Sequence, residues 1–271
     1  MIDGAVLGLI GIALVGWAAQ VLVAWLGTMR PLPAPGPATL DPGPEAPAVA
    51  SLLLLGRRFG PAARAATLLD LAARESLDLE WRPGTLPVCT AVRAPWTRPP
   101  PPFEQHVLGR VRARWRRPGT PVAALLPDAR DSGRRRWYAE FDRLVVEEAE
   151  RAGLVMPRLH QVARALLMIA AGVPAAMLVS FLWGWGAGAT WPAVLLGFAV
   201  WAGLAACVPR GHRRTEAGRD AARRWLGVRA AVRDRGLPAL DGDGWTPLRD
   251  PLPARAVATG AGPALVATLT T

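Results

Sequence analysis

The chain has 271 residues, 51% of them hydrophobic, a mean hydropathy of +0.21 and a formal charge of +11. High apolar content with 20% charged residues excludes a disordered chain. Two cysteines, Cys89 and Cys207, exclude a disulfide scaffold, and 28 Gly and 27 Pro without a period exclude a collagen-like one. All 32 basic residues are Arg, with no Lys and no Asn, a bias that GC-rich coding accounts for without selection for guanidinium chemistry.

From Gly4 to Leu26 no residue is charged and Gln20 is the only polar one. At ~1.5 Å per helical residue this stretch spans a hydrocarbon core of ~30 Å. It predicts a first transmembrane helix over 4–26. The region before it carries only Asp3 and the apolar run exceeds the usual ~7–15 residues of a signal peptide, so an uncleaved anchor is expected. Pro31 to Pro47 holds seven prolines, two acids and no base. It reads as a stiff linker over 31–47, able to hold the next domain ~40–50 Å from the bilayer at ~3.1 Å per residue.

Residues 48–157 read as a cytoplasmic domain. Ala48–Leu55 is expected as a short helix, and Gly60-Pro61 opens a longer one, with Pro at the first helical turn. Ala62, Ala66, Leu69 and Ala73 line one face of that helix, widened by Leu68 and Ala72. Asp78–Trp81 and Val88–Val92 flank the turn signal Arg82-Pro83-Gly84-Thr85 and predict a β-hairpin, whose core side Cys89 is expected to face. The order helix, helix, hairpin is that of a winged-helix unit. After a second Pro cluster (Pro95 to Pro102), helices are expected over Phe103–Trp115 and from Gly133 to Ala152. The latter carries a stripe of Tyr138, Phe141, Val145, Ala149 and Ala152, and Gly153 closes it.

Ala165 to Pro209 contains no Asp, Glu, Lys or Arg. This is too long for one span and right for two, with a turn in the Gly-rich stretch 184–192. A hairpin of transmembrane helices is expected, 165–183 and 191–208, with Pro174 kinking the first. Trp17, Trp25, Trp183, Trp185, Trp191 and Trp201 lie in or beside the spans, those at the ends suited to the headgroup region. Region 210–271 reads as a basic cytoplasmic C-terminal region. It holds an amphipathic helix over 216–235, capped by Thr215, with Ala217, Ala221, Trp225, Val228 and Val232 on its apolar face. Beyond Gly236 an irregular tail is expected.

Every Arg lies outside the spans and none precedes the first or sits in the hairpin turn. The positive-inside rule therefore places the N terminus outside and the bulk of the polar mass in the cytoplasm of a bacterial inner-membrane protein. The fold class is a mainly α membrane protein with three transmembrane helices, one N-terminal and two in a C-proximal hairpin, plus an α+β winged-helix-like cytoplasmic domain.

Two segments resemble a known family. Ala48–Leu55 with Arg57-Arg58-Phe59-Gly60-Pro61-Ala62-Ala63-Arg64-Ala65-Ala66-Thr67-Leu68-Leu69-Asp70-Leu71-Ala72-Ala73-Arg74 is one. Arg214-Thr215-Glu216-Ala217-Gly218 with Ala222-Arg223-Arg224-Trp225-Leu226-Gly227 is the other, and Arg255–Gly260 adds a fainter match. Together they resemble the YciQ-like predicted bacterial membrane proteins, a domain-of-unknown-function family, over about residues 48–90 and 160–262. The resemblance implies topology rather than chemistry. It also implies a shortened member, since larger members carry an extracytoplasmic domain before the first cytoplasm-directed span.

No catalytic constellation is legible. His106, His160 and His212 are scattered without zinc spacing, neither cysteine has a base nearby, and Glu147, Glu148 and Glu150 read as a solvated helix face. The expectation is no enzyme, no cofactor and no metal. No ionisable group lies inside a span, which argues against ion transport.

Arg158, Arg164, Arg210, Arg213, Arg214, Arg223 and Arg224 are candidates for contact with anionic lipid headgroups, each worth on the order of 1 kcal/mol near the surface. The clusters Arg110/Arg112/Arg114/Arg116/Arg117 and Arg134/Arg135/Arg136 fit the same leaflet better than nucleic acid, because basic excess is not concentrated on the recognition-helix candidate 61–75. The expected partners are the bilayer and a membrane protein, with self-association through Gly4, Gly8 and Gly11 as one form. The functional reading is a non-enzymatic interaction or regulatory module on the cytoplasmic face. A membrane-tethered DNA-binding regulator and an accessory subunit of a transport or envelope complex are the alternatives.

Overall fold

The computed structural model describes residues 4–28, 31–56, 59–81, 87–93, 99–127, 132–183, 190–208, 211–235, 246–247 and 249–261. In chain order the elements are α1 (Gly4–Thr28), α2 (Pro47–Leu55), α3 (Gly60–Ala73), β1 (Leu77–Trp81), β2 (Val88–Val92), α4 (Pro102–Arg114), β3 (Thr120–Pro121) and α5 (Val122–Leu125). They continue as α6 (Arg134–Arg151), β4 (Val155–Pro157), α7 (Gln161–Trp183), α8 (Thr190–Cys207), β5 (His212–Arg214), α9 (Glu216–Arg235), β6 (Thr246–Pro247) and α10 (Leu252–Ala258). The chain divides into two compact units, Met1–Pro31 with Met156–Arg213, and Leu32–Val155 with Arg214–Thr271.

The first unit is built from α1, α7 and α8. Among the described residues, two helices are long and apolar enough to cross a bilayer, Gly8–Leu26 and Gln161–Ser180; the described apolar part of α8, Val194–Cys207, is shorter. Helix α7 continues through Pro174. Indole N–H groups join the helices: Trp17 donates to the Leu167 carbonyl (3.3 Å), Trp201 to Met168 (3.1 Å) and Trp25 to Cys207 (3.2 Å). Trp17 is buried beside Val21 and Ala171, so its ring packs helices rather than serving a headgroup. The side chains of Trp183, Trp185 and Trp191 lie outside the described residues.

The second unit closes around α3. Its Ala62, Ala63, Ala65, Ala66, Leu68, Leu69 and Leu71 are all buried, and Thr67 keeps its hydroxyl satisfied by donating to the Ala63 carbonyl at 2.7 Å. Small residues let α2 and α10 approach α3 closely. This overturns the expectation that 61–75 could serve as a recognition helix, because a helix surrounded by its own core has no face left for a DNA groove.

Strands β1 and β2 form the antiparallel hairpin the sequence predicts, with a register shift between Asp78 and Leu79. Its turn, 82–86, lies outside the described residues. The short strands β3 and β6 flank it in the order β3-β2-β1-β6. Neither was legible: each has two residues, one of them Pro, and exists only as an edge partner. Strands β4 and β5 pair separately.

Two boundary expectations change. The linker 31–47 is not a free spacer. The Gly36 N–H donates to the Arg223 carbonyl of α9 at 3.0 Å, and a Cβ on Gly227 would collide with the Pro37 carbonyl, so only glycine lets the extended segment lie on the helix. Segment 32–46 therefore belongs to the domain, and the stand-off distance read from its length does not apply. Likewise the C-terminal region is not a separate appendage: Trp225, Val228 and Val232 of α9 and Ala254, Ala256 and Val257 of α10 are buried in the same core as α3. Residues 262–269, the end of the late apolar stretch, lie outside the described residues.

On α6, Phe141, Val145 and Ala149 are buried as the stripe predicts, whereas Tyr138 is half-buried and Ala152 is exposed beyond the last turn. Phe103 meets Phe141 edge-on at 6.3 Å, and His106 stacks on Trp137 at 4.7 Å. Cys89 is fully buried, and that burial pushes its thiol up to about 11.

Phe141→Ala is expected to cost ~3–5 kcal/mol in urea unfolding of the full chain. Arg143→Ala, which removes exposed pairs with Glu140 and Glu147, should cost no more than ~0.5–1 kcal/mol. Comparable losses in both variants would contradict this core. Iodoacetamide at pH 8 should leave Cys89 unmodified until the domain unfolds, as read by peptide mass; prompt native labelling would contradict its burial.

A candidate binding site in the second unit

A half-open cavity of about 310 Å³ lies where the linker, α3, α4, α9 and α10 converge. Each wall has a local cause. The linker turns at Asp41–Gly43, where the Gly43 N–H donates to Asp41 Oδ1 at 3.1 Å and Gly43 takes a φ of +81°. A Cβ there would stand 2.9 Å from Glu45 Oε2, so the turn requires glycine on both counts. Pro47 then starts α2. This geometry sets Glu45 with its side chain only 8% exposed, one oxygen paired with Arg224 of α9 and the other, Oε2, buried without a partner.

Across the cavity, Asp70 and Arg74 form an i,i+4 pair at the end of α3. Arg74 Nη2 donates to Asp70 Oδ2 at 2.5 Å and to Glu104 Oε1 at 2.6 Å. Glu104 belongs to the first turn of α4, where the positive helix end favours a carboxylate. Its side chain is 2% exposed, and Oε2 has no partner. Trp225 forms the floor, its ring wholly buried and its indole N–H unpaired. Ring burial outweighs that orphan donor: ~200 Å² at ~25 cal/mol per Å² gives ~5 kcal/mol against ~1–3 kcal/mol. Arg255 of α10 completes the wall and donates to the Leu40 carbonyl at 2.8 Å.

Burial raises the Glu104 carboxyl above its ordinary range, with Arg74 opposing, and raises Asp70 for the same reason against the same cation. Arg74 is itself disfavoured by burial, but its bonds to Glu104 and its field from Asp70 more than compensate and hold it charged. The arrangement can therefore bind polar groups; it has no nucleophile beside a base.

None of these groups was singled out as a site from the sequence. The Asp70/Arg74 spacing was visible, but Glu104 and Glu45 reach it only through tertiary packing. The predicted lipid-contact residues divide between the two units. Arg158 has its guanidinium 5.6 Å from the Trp25 ring, Arg164 is exposed and Arg213 half-buried, all in the first unit. Arg214, in the second, donates from Nε to the Leu53 carbonyl at 2.5 Å, and Arg224 pairs with Glu45, so both are engaged by the fold. Arg223 is exposed, and Arg210 lies outside the described residues. His106 lies 3.2 Å from the Trp137 carbonyl through Nε2, and among the described residues no group of three or more His, Cys, Asp or Glu side chains comes together.

Residues 42–241 match the family model described as "Predicted membrane protein (DUF2207) C-terminal domain". The chain belongs to this family. The matched stretch begins at the cavity's linker wall, runs through α2 to α9 and takes in both helices of the apolar hairpin; α1 and α10 lie outside it. No curated protein and no solved structure matches the chain. Family membership agrees with the resemblance drawn from Ala48–Arg74 and Arg214–Gly227, and it marks the protein as a membrane protein without assigning a reaction.

Glu104→Gln removes a carboxyl whose folded-state titration point lies above the unfolded one. Below both points the wild type and variant bind this proton equally. As pH rises, the unfolded wild type deprotonates first and its stability falls relative to the variant. The unfolding midpoint of Glu104→Gln minus that of wild type should thus grow from pH 4 to pH 8; a constant or shrinking difference would contradict the stated burial.

Proposed function

We propose that this is an integral inner-membrane protein that crosses the bilayer three times through α1, α7 and α8. Its N terminus lies outside, and the unit of residues 32–155 and 214–271 acts in the cytoplasm as a non-enzymatic binding or regulatory module. One observation carries the topology. Segments 32–155 and 214–271 share a single core, and a core cannot be divided by a bilayer. The segment between them therefore crosses an even number of times. Helix α7 is long enough for one crossing, and α8 supplies the return.

Surface chemistry supports the same reading. Ile12, Val15 and Val23 of α1 are each 70% exposed, with Ile169 of α7 at 69% and Leu195 of α8 at 67%. Apolar surface of that extent on charge-free helices matches lipid, not water, as its solvent. Orientation rests on the Arg distribution, and Arg158, Arg164, Arg210 and Arg213 at the feet of the hairpin are the groups offered to anionic headgroups. The helix–helix–hairpin order supports winged-helix kinship for the domain, while the burial of α3 counts against a DNA-binding use of it.

Two measurements test this. The product should sediment with membranes after ultracentrifugation of a detergent-free lysate. Protease should cut residues 32–155 in inverted vesicles and leave them intact in spheroplasts; cleavage in spheroplasts would reverse the orientation.

A further inference from the structure

The cavity of the second unit presents polar groups that nothing in the protein satisfies. Glu45 Oε2 and Glu104 Oε2 are buried acceptors without donors, and Trp225 Nε1 is a buried donor without an acceptor. All three side chains are more than nine-tenths buried. Such groups are rare in folded proteins, because each carries its desolvation penalty uncompensated. A second feature sharpens the imbalance. Pro42, Pro44, Pro47, Pro101 and Pro251 line the cavity, and a prolyl residue offers a carbonyl but no N–H. The walls are therefore rich in acceptors and poor in donors, and Arg74 already spends one nitrogen on two carboxylates.

Charge narrows the class further. Glu45, Asp70 and Glu104 are balanced by Arg74, Arg224 and Arg255, so the site as built is close to neutral. A simple cation would leave it with excess positive charge and would leave the indole N–H unpaired. A simple anion would leave both carboxylate oxygens without donors. A molecule with an N–H-bearing cationic group next to a carboxylate answers every one of these demands. The size agrees: about 310 Å³ is at the lower end of small-molecule sites, which run ~300–1,000 Å³.

We propose that this cavity is a binding site for a free amino acid. The α-ammonium is received by the unpaired oxygens of Glu45 and Glu104, and the carboxylate by the Trp225 indole N–H and the Arg255 guanidinium. The assignment goes beyond the membrane reading and does not depend on it, because every group involved belongs to residues 32–155 and 214–271. The linker wall gives binding a structural consequence. Glu45 lies on the linker and Glu104 on α4, so one ammonium bridging them ties the linker to the body of the domain.

The test uses the full chain in detergent. The twenty standard L-amino acids are screened by thermal shift, and any responder is titrated by calorimetry beside three analogues: its decarboxylated amine, its deaminated acid and its N-trimethylated betaine. At least one amino acid should give a saturable response. Each analogue, lacking the carboxylate, the ammonium or the N–H donors respectively, should bind about tenfold more weakly or worse. Glu45→Gln and Glu104→Gln should each weaken the amino acid by a similar factor. No response from any of the twenty would overturn the proposal. So would equal binding of the betaine or the amine, or undiminished binding in both variants. The analogue series is read on wild-type protein, so it decides the matter even if a variant fails to fold.

Discussion

A hydrophobic core cannot be shared across a lipid bilayer, and this constraint organises the chain. Trp225 and Val257, near the end of the sequence, are buried with Leu53, Leu68 and Leu77 from its first third. Between those stretches lies the apolar hairpin of α7 and α8. The domain is complete only after the chain has travelled through that hairpin and come back, so folding of the domain and insertion of the hairpin are coupled events. The coupling also explains why the linker is proline-rich without being a spacer. A rigid extended segment loses little entropy when it is laid along α9, and the glycine at 227 removes the side chain that would hold it away.

Around the cavity the domain tolerates an arrangement that a purely structural core would avoid. Buried ion pairs are seldom a net gain over well-packed apolar residues, because desolvation consumes most of the attraction. Here one guanidinium, Arg74, compensates two carboxylates at once, and Glu45 is compensated by Arg224. For Glu45 and Glu104 the compensation is partial and leaves one carboxylate oxygen unpaired. Elsewhere the domain satisfies its polar groups by local means, as Thr67 does on α3 and Thr215 does at the start of α9, where it accepts from the Gly218 N–H at 3.0 Å. The contrast in one small domain between these satisfied groups and the orphaned set at the cavity marks the cavity as a place where stability and binding compete.

Local elements were largely legible. The proline at the start of α3, the Gly153 stop after α6, the Thr215 cap of α9 and the alternation of β1 and β2 each act within a few residues, and each is present in the structure. Apolar stripes were legible where they stood apart from polar faces, as in Phe141, Val145 and Ala149. Helix α3 was misjudged for a reason of the same kind. Its pattern suggested one apolar face, but alanines on the remaining faces are small enough to be enclosed by α2 and α10 as well.

The sequence by itself determined which stretches are solvated by lipid, where charge collects and where helices start and stop, because these depend on composition and near-neighbour spacing. Only tertiary structure decided that the linker and the C-terminal helices complete the domain, that α3 is central, and that Glu45, Asp70, Arg74, Glu104, Trp225 and Arg255 share one cavity. Most of those residues are separated by tens to hundreds of positions. Their meeting is set by how helices pack, a property that no local pattern encodes.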